Sequence, residues 1–298
     1  MKVNTLIIGA GRSGTTSVYE YLAHHPEVNF SITKELHYFS IPDLYKRGEK
    51  YFHSLFESKE RKITATADTY LLIDKKAPER IRNYNPDIKL IVMLRDPVER
   101  AFSNYNYSVN YGHENISNAF LTALQLEEER LESNDIVELN NTCHFYGSLY
   151  YLHLQYWEKY FPKENFILLK LDDLKKDPES FYKNLTAKLN IPYIPFELEN
   201  KKFNAGSGVK SKWLQQLLLN RDSGIRKIVS FVLRPFRKLI IKSGIIDKVY
   251  AINKKEVDQK QITPEEEKLA RQYFLEDVKM LKSEYGIDFN DDVQHQHE

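Results

Sequence analysis

Cysteine is almost absent from this chain, and neither sign of charge dominates it. Among 298 residues only Cys143 is a cysteine, which excludes a disulfide framework and a zinc site built from cysteines. The 43 Lys and Arg residues balance 42 Asp and Glu residues, which gives a formal net charge of +1. This balance excludes a globally basic nucleic-acid coat and an acidic tail protein, although it allows a local basic patch.

Long hydrophobic runs are also lacking. The apolar stretch at residues 5–8 is too short for a signal peptide or a membrane span, and no other run approaches the roughly 18 apolar residues of a transmembrane helix. Because this stretch follows directly on the first residues, we expect no membrane anchor at the start of the chain. A reducing cytoplasm is therefore the predicted compartment.

Short β-rich runs alternate with helical patterns through the first part of the chain. Strands are predicted at residues 3–8, 27–33, 63–67, 88–94 and 165–171. Helical patterns lie between them, at residues 14–24, at 78–85 and from Pro97 onward. This alternation predicts an α/β fold with three layers (α/β/α) around a central, mostly parallel sheet.

The C-terminal third has a different pattern, in which helical periodicity dominates after residue 205 and no strand is predicted. Thr263 and Pro264 suit the N-cap and first position of a helix that we expect to end at Gly286. We predict one domain over residues 1–298, with an α/β core at 1–205 and a helical part at 206–289 that is not independent.

A glycine-rich turn follows the first predicted strand. Its residues are Gly9, Ala10, Gly11, Arg12, Ser13, Gly14, Thr15, Thr16 and Ser17. Glycines let the backbone approach an anion, and the N-terminus of the next helix supplies N–H groups and a positive dipole. Together with the charge of Arg12 and the hydroxyls, this pattern predicts a site for a phosphate or a sulfate. The alternative is a tight turn with capping hydroxyls.

Two known nucleotide-binding patterns fit this turn incompletely. Gly9, Gly11 and Gly14 have the spacing of a dinucleotide fingerprint, but the next predicted strand does not end in the expected carboxylate. A nucleoside-triphosphate loop would have a lysine at the position of Thr15. Because the positive charge stands at Arg12 instead, kinase or ATPase chemistry loses support.

A second polar element follows the strand predicted at 88–94. It is an Arg-Asp-Pro sequence that begins at Arg95, and Ser103 falls about two turns into the helix that comes next. An arginine at the carboxyl end of a parallel strand offers a fork of donors suited to a phosphate. The alternative is a surface ion pair of Arg95 with Asp96 or Glu99. Arg100 is expected to pair with one of the same two acids and to hold the turn.

Together, these two elements resemble the nucleotide site of sulfotransferases that use 3′-phosphoadenosine 5′-phosphosulfate (PAPS). The resemblance assigns the 5′-phosphosulfate to a loop consisting of Gly11, Arg12, Ser13, Gly14, Thr15, Thr16 and Ser17. It assigns the 3′-phosphate to Arg95 and Ser103. It also implies a fold like that of P-loop NTPases and a reaction without a metal ion.

The segment after the second predicted strand supplies a candidate base. Lys34, Glu35 and His37 resemble the Glu-x-His-Phe-Phe element of glycosaminoglycan-type sulfotransferases, in which the glutamate is the base. The resemblance assigns proton removal to Glu35, with His37 as the second candidate. Arg12, or else Lys34, would neutralise charge on the bridging oxygen. The alternative is a surface Lys–Glu pair beside a buried, hydrogen-bonded histidine.

One segment departs from the glycan-modifying members of that family. Those members have an acidic residue and a Ser/Thr-Pro pair shortly before a tyrosine, whereas here only Tyr70 clearly matches. Asp68 is a candidate replacement for the acid.

Two basic features lie farther along the chain. By the same resemblance, Lys210 and Lys212 belong to a loop that covers the nucleotide and contacts its 3′-phosphate. Residues 213–242 carry seven basic side chains against one acidic one, interleaved with apolar residues. Such a segment suits an anionic membrane surface, here the inner membrane face, or an acidic partner; the alternative is a packed helix with a solvated basic face.

These observations predict an enzyme that moves a sulfuryl group from PAPS to a hydroxyl or amine of a carbohydrate or glycolipid. A lipid or small-molecule alcohol is the alternative acceptor. Two other functions stay open, a P-loop kinase that uses ATP and magnesium and a nucleotide-binding module without chemistry. No nucleic-acid partner is expected, and the sequence does not indicate an oligomeric state.

Overall fold

The structure is a computed structural model, and it describes residues 2–57, 59–115, 119–195, 207–209, 254–256 and 260–289. The strands of the central sheet are β1 (Thr5–Gly9), β2 (Val28–Phe30), β3 (Ile63–Ala67), β4 (Lys89–Leu94) and β5 (Phe166–Lys170). The described helices are α1 (Thr15–His24), α2 (Pro42–Tyr45), α3 (Gly48–His53), α4 (Ala77–Tyr84), α5 (Pro97–Tyr111), α6 (Phe120–Arg130), α7 (Ile136–Thr142), α8 (Tyr150–Glu158), α9 (Leu171–Lys176), α10 (Pro178–Lys188) and α11 (Pro264–Tyr285).

The five strands form one parallel sheet in the order β2-β3-β1-β4-β5. In the centre, Thr5 lies opposite Ala65 on one side and Lys89 on the other. The predicted central parallel sheet is therefore confirmed. Because parallel strands end at the same edge, the segments that follow β1, β2, β3 and β4 meet there, and these segments carry most of the candidate site residues.

Both faces of the sheet are buried under helices. In β1, Leu6 and Ile8 pack into one apolar cluster, whereas Ile7 packs into the cluster on the opposite face. This burial explains why the strand is a continuous apolar run rather than an alternating one. β3 is less apolar, yet its Thr66 is also buried, where its hydroxyl bonds to the hydroxyl of Ser31 at 2.8 Å. That pairing satisfies polar groups within the sheet.

The last described helix, α11, begins and ends as predicted. Thr263 and Glu266 form a reciprocal capping box at its start, and Gly286 ends it in the left-handed conformation at φ 68°. Phe274 packs with residues of α5 and α6 in a third apolar cluster. The Asp277 carboxylate accepts hydrogen bonds from two backbone amides in the first turn of α8, each at 3.1 Å. Helix α11 is thus packed against the layer that contains α5.

The prediction that no strand follows residue 205 is wrong. Ser207–Val209 (β6) and Lys254–Glu256 (β7) pair as a two-stranded antiparallel sheet. Three-residue strands contain too few residues for an alternating pattern, and their pairing joins segments that are distant in sequence. The predicted domain limits stay a prediction.

Candidate active site

The turn between β1 and α1 has the backbone that an anion-binding loop needs. Gly14 is the N-cap of α1 in the left-handed conformation, at φ 84°, and no described side chain caps this helix end. A β-carbon at Gly14 would lie 2.7 Å from Cδ1 of Leu171, and the left-handed conformation is strained for any residue with a β-carbon. The N–H groups of the first turn of α1 are therefore directed at the carboxyl edge of the sheet, where they suit a phosphate or a sulfate.

Arg12 connects this turn to helix α5. Its Nε donates to Oγ of Ser103 at 3.4 Å, and its guanidinium lies over the ring of Tyr107, 4.8 Å from the centroid. Burial lowers the pKa of Arg12, Tyr107 opposes that shift, and the neighbouring charge of Arg95 adds to it. The residues predicted to bind the two ends of the nucleotide are therefore in contact.

Arg95 follows β4 at the same edge. Its Nε and Nη2 bind Oε2 of Glu99 at 3.0 Å and 2.9 Å, and its Nη1 donates to the backbone oxygen of Arg12 at 3.4 Å. The ion pair of Arg95 with Glu99, which is the alternative to phosphate binding, is thus present. It occupies one edge of the guanidinium and leaves the edge that contains Nη1 directed at the loop.

Lys34 links the loop to the candidate base. Its ammonium donates to Oγ1 of Thr15 at 3.2 Å and to Oγ1 of Thr16 at 3.1 Å, and it lies 3.2 Å from Oε1 of Glu35. The other oxygen of Glu35 accepts from the amide of Thr69 at 2.8 Å and from its hydroxyl at 3.2 Å. The alternative, a simple surface Lys–Glu pair, does not describe this arrangement. Lys34 also contacts the loop, and Glu35 also contacts Thr69.

His37 lies beside Glu35 and pairs with an aspartate. Its Nδ1 is 3.0 Å from Oδ1 of Asp68, and its ring packs on Tyr70 with 4.4 Å between the centroids. Asp68 is buried at the end of β3, where it also accepts a hydrogen bond from Oγ of Ser40 at 2.7 Å. Two consecutive residues after β3 therefore hold the two candidate bases, since Asp68 contacts His37 and Thr69 contacts Glu35.

The backbone is strained at three of these residues. Arg12, Glu35 and His37 have positive φ values of 70°, 59° and 54°. Such conformations are costly for residues with a β-carbon, and they tend to cluster at functional sites.

A nitrogen of His37 and carboxylate oxygens of Glu35 and Asp68 all lie within 4.8 Å of one another. Three groups of this kind can hold a metal ion. Here, however, the ammonium of Lys34 already stands 3.2 Å from Glu35, and both carboxylates accept hydrogen bonds from protein donors. In this structure the two carboxylates are therefore engaged with protein donors.

The prediction that Arg100 pairs with Asp96 or Glu99 is wrong. Its side chain points to the other side of α5, where Nε donates to the backbone oxygen of Gly11 at 3.0 Å. Asp96 instead caps α5 through the amide of Glu99 at 3.0 Å and binds Arg271 of α11 at 3.0 Å. The helical periodicity of α5 places Arg100 on the face that packs inward, which the sequence spacing to the two acids did not reveal.

The sequence did not point to Thr69 or Tyr107 as residues of the site, and it predicted no contact for Asp68. Their positions carry a weak signal, because Asp68 and Thr69 directly follow a strand at the ligand-binding edge. Tyr107 stands one helical turn after Ser103, on the same face of α5. Lys210, Lys212 and the basic segment 213–242 lie outside the described residues.

Comparison with known proteins decides the family. The sulfotransferase domain family matches residues 2–239. The chain belongs to the sulfotransferase family. Heparan sulfate glucosamine 3-O-sulfotransferase 5 of Homo sapiens is 30% identical to it over 206 residues, and the match covers 68% of this chain and 57% of that protein. The membrane-associated sulfotransferase kil1 of Dictyostelium discoideum is 22% identical over an alignment length of 270. The match covers 65% of this chain and 57% of that protein.

The family fold agrees with a solved structure. A sulfotransferase from Alicyclobacillus acidocaldarius superposes with a TM-score of 0.67 at 20% identity, over 98% of both chains. The predicted α/β/α fold of this chain, a member of this family of enzymes, is thereby confirmed. The matches to the curated relatives extend over 57% of those proteins' lengths. Across the parts of the chain that the structure describes, none of the helices combines the length and the apolar character that crossing a bilayer requires.

Proposed function

We propose that the protein transfers a sulfuryl group from PAPS to a hydroxyl group of a carbohydrate acceptor. One observation carries the proposal. The ammonium of Lys34 contacts the hydroxyls of Thr15 and Thr16 in the phosphosulfate loop and also the carboxylate of Glu35. A base that lies one side chain away from an anion loop is what transfer to an acceptor oxygen needs, and simple nucleotide binding does not need it.

The residues at the sheet edge fit the nucleotide. In the proposal, the first turn of α1 and Arg12 bind the 5′-phosphosulfate, while Arg95 and Ser103 bind the 3′-phosphate. The contact of Arg12 with Ser103 at 3.4 Å supports the proposal, because one residue of each proposed anion site takes part in it. Lys210 and Lys212 remain candidates for further contacts to the 3′-phosphate.

The proposed transfer uses Glu35 as the base. Oε2 of Glu35 accepts two hydrogen bonds from Thr69, whereas Oε1 has one partner in Lys34 and keeps a lone pair for the acceptor hydroxyl. As the acceptor oxygen attacks sulfur in line, its proton moves to Oε1 of Glu35. The bond between sulfur and the bridging oxygen breaks, and its electron pair stays on the 5′-phosphate. In the proposal, Lys34 and Arg12 stabilise the charge that develops on that oxygen.

A carbohydrate acceptor is proposed from two lines of support. The names of several relatives state that they sulfate glucosamine in heparan sulfate. Glu35 and His37 keep the Glu-x-His order that resembles glycosaminoglycan-type members. The preferred acceptor group is a hydroxyl, and an amine is the alternative. A glycolipid or a small-molecule alcohol would satisfy the same chemistry.

Calorimetry followed by a transfer assay tests the proposal. The product nucleotide, 3′-phosphoadenosine 5′-phosphate (PAP), should bind without added metal, whereas ATP with magnesium should bind weakly. Sulfur-35 label from PAPS should then appear on at least one member of a panel of glycans, glycolipids and alcohols. Tight binding of ATP with magnesium would support a P-loop kinase instead, and PAP binding without transfer to any acceptor would support a nucleotide-binding module.

A further inference from the structure

Arg100 is a buried arginine that connects helix α5 to the phosphosulfate loop. Arg100 is only 2% exposed, and its Nε donates to the backbone oxygen of Gly11 at 3.0 Å. Its Nη1 donates to the backbone oxygen of His144 at 3.1 Å and to Oγ of Ser148 at 3.2 Å. These partners are carbonyl and hydroxyl oxygens rather than carboxylates, so none of these contacts is an ion pair.

The turn that receives Arg100 is built around it. A β-carbon at Gly147 would lie 2.5 Å from Nη1 and 3.2 Å from Cζ of Arg100. The buried carboxylate of Glu127 accepts hydrogen bonds from the amides of Phe145 and Tyr146, each at 2.7 Å, and so holds the turn from α6. The turn at residues 144–148 therefore holds the guanidinium on the side away from the loop. Its one hydrogen bond to the loop is the contact with Gly11.

Holding the Gly11 carbonyl has a direct consequence for anion binding. Carbonyl oxygens repel a phosphate or a sulfate, whereas backbone N–H groups attract it. Because the Gly11 oxygen accepts a hydrogen bond from Arg100, its partial negative charge is offset by a cationic donor. Ser103 stands three residues after Arg100 on the same helix, so that one element positions both the loop and a predicted ligand of the 3′-phosphate.

The charge of Arg100 also acts on the loop. Burial lowers the pKa of Arg100, Tyr150 and Glu127 oppose that shift, and the nearby charge of Arg12 adds to it. Burying an arginine near a second positive charge is costly. A bound dianion would reduce that cost.

We propose that Arg100 is a positioning residue for the phosphosulfate loop, and that the 5′-phosphosulfate group of the nucleotide provides the negative charge that balances it. This inference rests on the proposed function. It predicts that Arg100 contributes to affinity for the 5′ end of the nucleotide without touching it and contributes little to affinity for the 3′ end.

Two ligands separate these ends. PAP carries both phosphates, whereas adenosine 3′-phosphate lacks the 5′ one, and the ratio of their dissociation constants measures the contribution of the loop. We would measure both constants by calorimetry for the wild-type chain and for Arg100→Met and Arg100→Lys. Arg130→Lys is the matched control, because Arg130 is another arginine fork in this layer, but it binds Glu114 at 2.7 Å and the backbone oxygen of Thr142 at 2.8 Å instead of the loop.

The preference for PAP should fall about tenfold to hundredfold in Arg100→Met, since a buried hydrogen bond from a charged group is lost. It should fall less in Arg100→Lys, which keeps the charge but not the fork, and should stay at the wild-type value in Arg130→Lys. A merely structural role would lower the melting temperature without changing this ratio.

A wild-type ratio in both Arg100 variants would overturn the inference. If Arg100→Met does not fold, Gly147→Ala takes its place, because the added methyl group would displace the guanidinium while the arginine is retained. An unchanged ratio in Gly147→Ala and Arg100→Lys would then be decisive against it. If the wild-type chain itself does not bind PAP, the proposed function fails, and this result differs from PAP binding that is insensitive to Arg100.

Discussion

Nδ1 of His37 lies 3.0 Å from Oδ1 of Asp68, at the edge of the sheet where Glu35 also stands. Asp68 accepts two more hydrogen bonds, from Oγ of Ser40 at 2.7 Å and from the amide of Tyr70 at 3.1 Å. Because an aspartate surrounded by donors acts as an acceptor, we assign a hydrogen to Nδ1 of His37. Asp68 therefore orients the imidazole of His37 beside the proposed base.

Replacing Asp68 by Asn should disturb this orientation. An amide offers one acceptor oxygen where the carboxylate offers two, so it cannot serve Ser40, the Tyr70 amide and the Nδ1 hydrogen together. We expect the His37 hydrogen to shift to Nε2 and turnover to fall about tenfold to hundredfold, with unchanged PAP affinity. Nitrogen-15 NMR of the ring reports the tautomer without any acceptor. An unchanged tautomer together with full turnover would contradict this account.

The Glu35→Gln variant separates nucleotide binding from chemistry. The amide keeps the size of the side chain but cannot accept a proton, so turnover should fall by a factor on the order of 100 to 10,000, while PAP affinity stays near the wild-type value. Steady-state transfer from labelled PAPS and calorimetry with PAP give the two quantities. His37→Gln is the comparison variant. Should Glu35→Gln retain turnover and His37→Gln lose it, the base is His37.

The Arg95→Ala variant should weaken PAP binding about tenfold to hundredfold, because it removes a guanidinium from the proposed 3′-phosphate site. Adenosine 5′-phosphate lacks the 3′-phosphate, so its affinity should change little. Glu99→Gln is the control for the ion pair at 2.9 Å, since it keeps Arg95 and removes only the partner charge. Equal losses for both nucleotides in Arg95→Ala would show that Arg95 supports the loop rather than the 3′-phosphate.

The titration of one buried histidine, His153, should make a destabilising contribution in acid. Burial lowers the pKa of His153 to about 4, although its hydrogen bond to the backbone oxygen of Tyr146 opposes the shift. The unfolded chain then binds more protons than the folded one between about pH 6.5 and pH 4. The stabilisation is complete above this range and is lost as the pH falls through it, by about 3 kcal/mol at pH 4.

His153→Gln removes this titration and keeps a donor for the Tyr146 oxygen. Urea unfolding at several pH values should show the variant gaining on the wild type by about 3 kcal/mol between pH 7.5 and pH 4. Burial raises the pKa of Glu127 to about 7, which gives the opposite dependence on pH, but Glu127 is common to both proteins and cancels in the difference. A constant difference at all pH values would refute the assignment.

Chelation should leave the transfer rate intact. In the proposed reaction, the positive charge beside Glu35 and the loop comes from Lys34 and Arg12. EDTA should therefore not change turnover, whereas Lys34→Met should lower it, because the ammonium that contacts Thr15 and Thr16 is lost. A rate that is lost on EDTA treatment and restored by a divalent cation would point to the Glu35, His37 and Asp68 group as a metal site.

Much of the site was predictable because its elements are local. A strand followed by a glycine-rich turn and a helix appears in the sequence as a short continuous pattern, and so does the strand that ends at Arg95. The same holds for the order of Lys34, Glu35 and His37. Asp68 and Thr69 were harder to assign, because their contacts to His37 and Glu35 cross from β3 to the segment after β2.

The amino-acid sequence was enough to predict the alternation of strands and helices, the parallel sheet, the bounds of α11 and the residue types at the strand ends. These follow from periodicity, capping and backbone conformation, which depend on neighbours along the chain. The sequence did not reveal the direction of Arg100, which binds Gly11 and not the acids near it, or the pairing of β6 with β7. Such choices depend on packing between segments that are distant in sequence, where burial and the satisfaction of polar groups outweigh local spacing.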